Sequence, residues 1–433
     1  MARFKQSRAT SAPQLGSDGG LRKSQRYRPD MRSRPIRRES TAVDRADVVI
    51  VGGGMVGSAV AYFLATDPGF RGRIAIVERD TSYRDCSTAR SAGGLRQQFS
   101  TPENIVLSRF TLAIIRELKA RFGPDADVAF RERGYLILAG ASGEAMLAEN
   151  VALQRSMGAD VVHLSAAELA VRFPWLAVEG IAAGSFGQSG EGWFDPPSLA
   201  DLFRKAAVAA GAVVVHDRVV GIDGGERLTA VSLAGGGRIA CGSLVIAAGA
   251  WSGELAALAG VPLPVEPRKR FIYVVDCREP PQTLRLAPLT TDPGGVWFRP
   301  EGRFFLCGKS PEEGGEPPIG DLDDIDHAVF EQDVWPSLAA CVPAFESLKV
   351  VNAWAGYYDY NTLDQNALIG AHPKIANLYF ATGFSGHGVQ QGAAAGRAVA
   401  DLIVHGAYRT IDVTRLGYVR VANNAPLPER NVF

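Results

Sequence analysis

The stretch ADVVIVGGGMVGSAVAYFLA, residues 46–65, constrains the fold more tightly than any other part of the chain. Val48 to Val51 is a continuously apolar, β-branched run of the kind buried in a parallel sheet. Gly52, Gly54 and Gly57 follow as GxGxxG, and Ser58 to Ala65 is built from small and helix-forming residues. The order is strand, glycine turn, helix. Gly52 permits the tight turn, Gly54 lets a pyrophosphate approach the backbone, and Gly57 lets helix and strand pack closely. The phosphates would then meet the helix N-terminus at Met55 and Val56, where free N–H groups and the helix dipole favour an anion. RIAIVERD supplies a second strand, Ile74 to Val77, that ends in Glu78 with Arg79 beside it. Glu78 lies about twenty residues beyond Gly57, where a carboxylate takes the ribose hydroxyls of a dinucleotide.

NAD and FAD share this turn, and three features favour FAD. The glycine loop opens the folded part, no second GxGxxG follows, and glycine-bearing strand ends recur far downstream. A flavin nucleotide lying along its whole length needs such late contacts. One late segment runs from Val213 to His216 through Val219 to Ile222 and a hairpin, and ends in LVIAAGAWS. Ala248, Gly249 and Trp251 sit at its carboxyl end, where open α/β sheets bind ligands. Another is NLYFATGFSGHGVQQGAAAGRAVADLIVHG, with a strand from Leu378 to Ala381 and a helix from Ala393 to Ile403. Between them Gly383, Gly386, His387, Gly388, Val389 and Gln390 form a loop opening a second helix N-terminus, able to stabilise negative charge on a reduced flavin ring.

Composition narrows the class. A chain of 433 residues, 46% hydrophobic, can bury a large core. Its five cysteines show no CxxC pair and no histidine at metal spacing, so neither a zinc site nor a disulfide framework is indicated and a reducing compartment is expected. No apolar run approaches the roughly 20 residues of a membrane span. The zero net charge hides a basic head: residues 1–45 hold twelve Lys and Arg against four acids. Rich in Arg, Ser, Pro and Gly, this head reads as a disordered tail. A cytoplasmic location is expected, or the mitochondrial matrix if the tail is a transit peptide. Nucleic-acid binding has no support beyond the charge.

VVIVGGGMVG, STARSAGGLRQ, VIAAGAWS and GFSGHGVQQG…GRAVADLI together resemble the FAD-dependent amine and amino-acid oxidoreductases of the D-amino-acid oxidase superfamily, the group of sarcosine oxidase, glycine oxidase and dimethylglycine dehydrogenase. The resemblance spans roughly Ala46 to Gly406. It implies that the polar run after the second strand crosses the flavin, with Ser87, Thr88 and the backbone at Ala92, Gly93 and Gly94 near the pyrophosphate and ring. It places Arg96 on the substrate carboxylate, a role suited to a planar guanidinium fork, with Arg90 and Arg268 as alternatives. Tyr357 or Tyr358 stands near the place of a flavin-linking cysteine and Arg90 near that of a linking histidine, so FAD is expected to bind non-covalently. Gln390 replaces the lysine of sarcosine-oxidase-like enzymes. Lys309 or Lys269 is the candidate for a catalytic lysine over the flavin, and Tyr273 and Tyr358, with Phe298 and Tyr357, for an aromatic substrate cage.

The expected fold class is α/β with an α+β substrate part. A Rossmann-like FAD domain (46–130, 190–262 and 350–410) interleaves with an antiparallel-sheet substrate domain (131–189 and 263–349), and 411–433 is a C-terminal tail. The expected activity is oxidation of the C–N bond of a small or N-substituted amino acid by hydride transfer to flavin, the imine then hydrolysing. Arg96, His387 and Lys309 are the candidate catalytic residues, and no metal is expected. O2, a quinone or an electron-transfer protein would accept the electrons. The alternatives are a 2-hydroxy-acid dehydrogenase or a non-catalytic assembly factor that retains FAD.

Overall fold

The computed structural model describes residues 43–312 and 314–430. All but the last three residues of the basic head fall outside that range, and Arg45 already belongs to the first strand. Thirteen elements build and support the site: β1 (Arg45–Val51), α1 (Met55–Thr66), β2 (Ile74–Glu78), α2 (Pro102–Arg116), β3 (Tyr135–Ala139), α3 (Pro196–Ala209), β4 (Val213–His216), β5 (Arg238–Ile246), β6 (Val265–Cys277), β7 (Phe304–Lys309), β8 (Leu348–Asn361), β9 (Leu378–Thr382) and α4 (Gly388–His405).

The apolar run of β1 becomes the centre of a sheet because both of its faces are covered. Val48 and Ile50 pack with α1, α3 and α4, while Val49 and Val51 enter a second core on the opposite face. β1 pairs in parallel with β2 on one side and β5 on the other, Val51 opposite Val77 and Ile246. The order across the sheet is residues 368–371, β9, β5, β1, β2, β4, with the hairpin strands 219–224 and 228–233 attached at β5. The ends of β1, β2, β5 and β9 thus come together although they span more than three hundred residues of sequence.

α1 and α4 lie against each other at very short range. A Cβ added to Gly396 would stand 2.7 Å from the Ala59 carbonyl carbon and the Val60 nitrogen. The expected helix from Ala393 begins earlier, at Gly388, because the glycine loop itself winds into the first turn. α2 stops at Arg116, and a separate turn, Leu118–Phe122, comes after it.

A second sheet runs β8, β6, β7, then strands 296–301 and 289–291, β3, and strands 183–187 and 161–165. It is antiparallel except where 289–291 meets β3. Its inner face carries an aromatic core of Tyr273, Phe298, Phe305 and Phe345. Residues 411–430, the described part of the expected tail, are packed: Val413 and Leu416 are fully buried, and the Arg420 guanidinium pairs with Asp364 at 2.7 Å. Among the described residues no helix is long and apolar enough to cross a membrane, and no group of side chains is arranged to hold a metal ion.

Candidate active site

The turn after β1 closes only with glycine at two positions. Gly52 sits at φ +104°, with Ala247 O where its Cβ would be, and a Cβ on Gly57 would stand 1.9 Å from Gly52 O. Gly54 is different. Its backbone is extended, and an added Cβ would meet only Thr88 Oγ1 at 3.2 Å, because this residue faces a cavity. Gly54 caps α1 without a side chain, no acid occupies the first turn, and Met55 N donates to Thr88 Oγ1 at 3.0 Å. At the end of β2, Glu78 accepts from Gly53 N at 2.7 Å and from Asp80 N at 2.9 Å. A helix N-terminus free of anions, a glycine facing open space and a fixed carboxylate beside them suit the pyrophosphate and ribose of a dinucleotide.

The cavity has a volume of about 510 Å³ and runs from the ends of β1 and β2 to the N-terminus of α4. All but three of the expected cofactor contacts line it. Gly57 packs helix on strand, as its place in the motif requires. Gly93 and Gly383 are corrections: each takes a positive φ in a structural turn, Gly93 against Phe194 O and Gly383 against Val265. Arg79 lies over the Trp251 ring at 4.9 Å, and the Ser87 hydroxyl donates to Tyr357 O at 2.6 Å, tying the polar loop to β8.

Arg96 and His387 meet at the far end. Arg96 is 2% exposed; Nη1 donates to Gln98 O at 2.6 Å and Nη2 lies 3.0 Å from His387 Nε2. Since guanidinium only donates, Nε2 accepts and the imidazole proton sits on Nδ1. Burial, reinforced by Arg96, pushes the His387 pKa down to about 3. Phe99 stacks under the Arg96 guanidinium at 4.3 Å and meets the His387 ring edge-on. Gln390, in the first turn of α4, accepts from Arg96 N at 2.9 Å. Arg96 is therefore a fixed cation held by its own chain at the helix N-terminus, rather than an open fork.

Tyr358 faces the same space, packed on Gly386, and both Arg270 and Arg96 act on its hydroxyl, whose pKa burial raises. Tyr135, with a hydroxyl pushed up to about 12 by burial, completes the wall. Lys309 lines the cavity with Nζ 3.3 Å from Glu312.

Other expectations are corrected. Tyr273 is fully buried in the aromatic core and donates to Asp326 O at 2.5 Å, away from the cavity wall. Phe298 is in that core too. Arg268 pairs with Glu266 at 3.0 Å outside the cavity, and Lys269 gives its ammonium to Asp321 O and Asp324 O, each at 2.7 Å. Arg90 reaches the wall with its guanidinium spent on Ala355 O and Asp85.

Three functional candidates are not apparent from the sequence. Arg270 shares the period-2 face of Arg268 but lies two residues deeper, opposite Gly356, and it lines the cavity. Asp359, on β8, accepts from Phe384 N at 3.1 Å and has its pKa raised to about 6 by burial. Glu191, fully buried, accepts from Gln97 N at 2.5 Å and Gln98 Nε2 at 2.7 Å, bracing the segment that carries Arg96. Only the run PRKR in a strand hints at the first; nothing local marks the other two.

Residues 47–402 match the family described as FAD dependent oxidoreductase, DAO. The chain is 42% identical over 427 residues to FAD-dependent oxidoreductase domain-containing protein 1 of Xenopus laevis, covering 90% of this chain and 85% of that one. It is 31% identical to glycine oxidase of Geobacillus kaustophilus, covering 83% of this chain and 93% of that one. Among solved structures it resembles L-proline dehydrogenase from P. horikoshii, with a TM-score of 0.77 and 25% identity, covering 89% of this chain and all of that one.

Proposed function

Because the chain belongs to the DAO family of FAD-dependent oxidoreductases, with FAD as its cofactor, we propose that it oxidises the C–N bond of a small amino acid or N-substituted amino acid. The observation that carries this reading is that two buried guanidinium groups, Arg96 and Arg270, line the cavity together with Tyr358, Arg270 lying 5.3 Å from the Tyr358 ring. Their positive charge would attract a substrate carboxylate to this part of the cavity, and the phenol can donate to it. Bound FAD supplies the two-electron acceptor for the substrate carbon.

The side chains divide the remaining work. Gly54, the N-terminus of α1 and Glu78 would hold the nucleotide end without a covalent link. Arg96, fixed by the neutral His387, and the N-terminus of α4 would supply positive potential to the reduced form of bound FAD. His387 does not act as a base, since its Nε2 lone pair accepts from Arg96. A neutral amine would give up a hydride from its α-carbon to bound FAD, and the resulting iminium hydrolyses in water. Relatives named glycine oxidase and sarcosine dehydrogenase support this substrate class.

The test uses purified holoenzyme. Acid precipitation should leave a colourless pellet and release all of the flavin. Anaerobic bleaching by a panel of glycine, N-methyl amino acids, proline, opines and 2-hydroxy acids should then show reduction by one or more amino acids. Reduction by hydroxy acids alone would move the activity to C–O oxidation, and resistance to the whole panel would make FAD structural.

A further inference from the structure

We propose that Glu316 is an internal stand-in for the substrate carboxylate, seated on Arg270 and displaced from it when substrate binds. Arg270 lines the cavity at 8% exposure, with its guanidinium 5.3 Å from the Tyr358 ring. Glu316 meets it end-on, Oε2 accepting from Nη1 at 2.5 Å and Oε1 from Nη2 at 3.1 Å. Nε of the same group is buried and has no hydrogen-bond partner. Nη1 also donates to Lys269 O at 2.9 Å, so Nε is the unsatisfied position, and a carboxylate entering on Nε and Nη2 takes Nη2 from Glu316. Leaving a buried donor unpaired carries a desolvation penalty, which an entering carboxylate removes.

The segment that carries Glu316 is built to let go. Residues 311–319 form no helix or strand among the described residues. Gly314 adopts φ +83° with open space where a Cβ would stand. Just beyond, the chain is clamped: the Tyr357 hydroxyl donates to Gly320 O at 2.6 Å and accepts from Gly320 N at 2.8 Å, and Lys269 grips Asp321 O and Asp324 O. Two acids of this segment, Glu312 and Glu316, sit on two of the cavity-lining cations, Lys309 and Arg270. Exchange of Glu316 for a substrate carboxylate keeps Arg270 neutralised throughout, so no bare charge is ever buried. The segment selects for substrates whose carboxylate can outcompete a tethered one.

This inference rests on the proposed amino-acid substrate, and its test separates the two. Benzoate and acetate are titrated into the holoenzyme and followed by the flavin absorbance. Glu316→Gln should bind both at least about fivefold more tightly than wild type, since a charged competitor has been removed, while Glu312→Gln should bind them within about twofold, as expected for a more exposed pair. In the wild type, saturating benzoate should speed cleavage after Glu312 by a Glu-specific protease, and Glu316→Gln should be cleaved at the faster rate without benzoate. Unchanged carboxylate affinity in a Glu316→Gln holoenzyme overturns the inference. If that variant fails to retain flavin, wild-type cleavage unaffected by benzoate overturns it instead. Tighter carboxylate binding with no amino acid able to bleach the flavin would keep the displacement and sink the substrate reading; the converse result would do the opposite.

Discussion

Arg96 shows what a single side chain has to satisfy here. Its charge is buried, so its value to a ligand depends on how rigidly Gln98, His387 and Phe99 hold it. Arg96→Lys keeps the charge and loses the planar contacts. It should slow flavin reduction by substrate at least about tenfold, the worth of one charge-assisted hydrogen bond, with the FAD content nearly unchanged. Stopped-flow reduction alongside the absorbance ratio of flavin to protein checks both. Glu191 governs a different quantity. Burial pushes its pKa up to about 7 against an ordinary 4.5, so the folded state holds this proton more tightly than the unfolded one. Its contribution to stability is therefore full below pH 4.5 and is lost as pH rises through about 7. Glu191→Gln should melt lower at pH 5 yet lose less stability between pH 5 and 8, seen in melting curves across that range. Arg96 and His387 are visible in the sequence because each lies inside a glycine-rich motif. Glu191 and Arg270 are illegible there because burial and strand face, not residue type, give them their roles.

At the scale of elements, the glycines separate into those that let secondary structure pack and those that leave room for a ligand. Gly396 belongs to the first kind and Gly54 to the second. Gly396→Leu must push α4 away from α1, an overpacking cost of roughly 1–3 kcal/mol, so melting temperature and FAD content should fall together. Gly54→Val meets only Thr88 and empty space, so the apoprotein should melt within a few degrees of wild-type apoprotein while FAD binding is lost; a fluorescence titration with FAD and a melt on stripped protein distinguish the two. A Gly54→Val protein that binds FAD normally would remove the pyrophosphate from this turn. The strand, turn and helix around these glycines are readable because each local preference agrees with the buried parallel sheet. The start of α4 is not, since the glycine loop winds into its first turn at Gly388.

For the whole molecule, the end of the described chain matters as much as its beginning. Glu429 accepts from Ser100 N and Thr101 N at the start of α2, and from Asn104 Nδ2 at 2.9 Å. α2 in turn packs on α4. Glu429→Ala removes a cap worth roughly 0.5–2 kcal/mol and leaves Asn104 short of a partner, so it should lower the melting temperature and loosen flavin, measurable as a raised Kd for FAD. Residues 411–433 read as a tail in the sequence, whereas the anchoring of the described part is set by partners far away in the chain. The cradle for the nucleotide is likewise split between Gly52 and His387. During synthesis, then, the first glycine turn leaves the ribosome long before the strand and helix that complete its cavity. Flavin loading must wait for that strand and helix, and in a cell short of riboflavin the N-termini of α1 and α4 would both line an unfilled cavity.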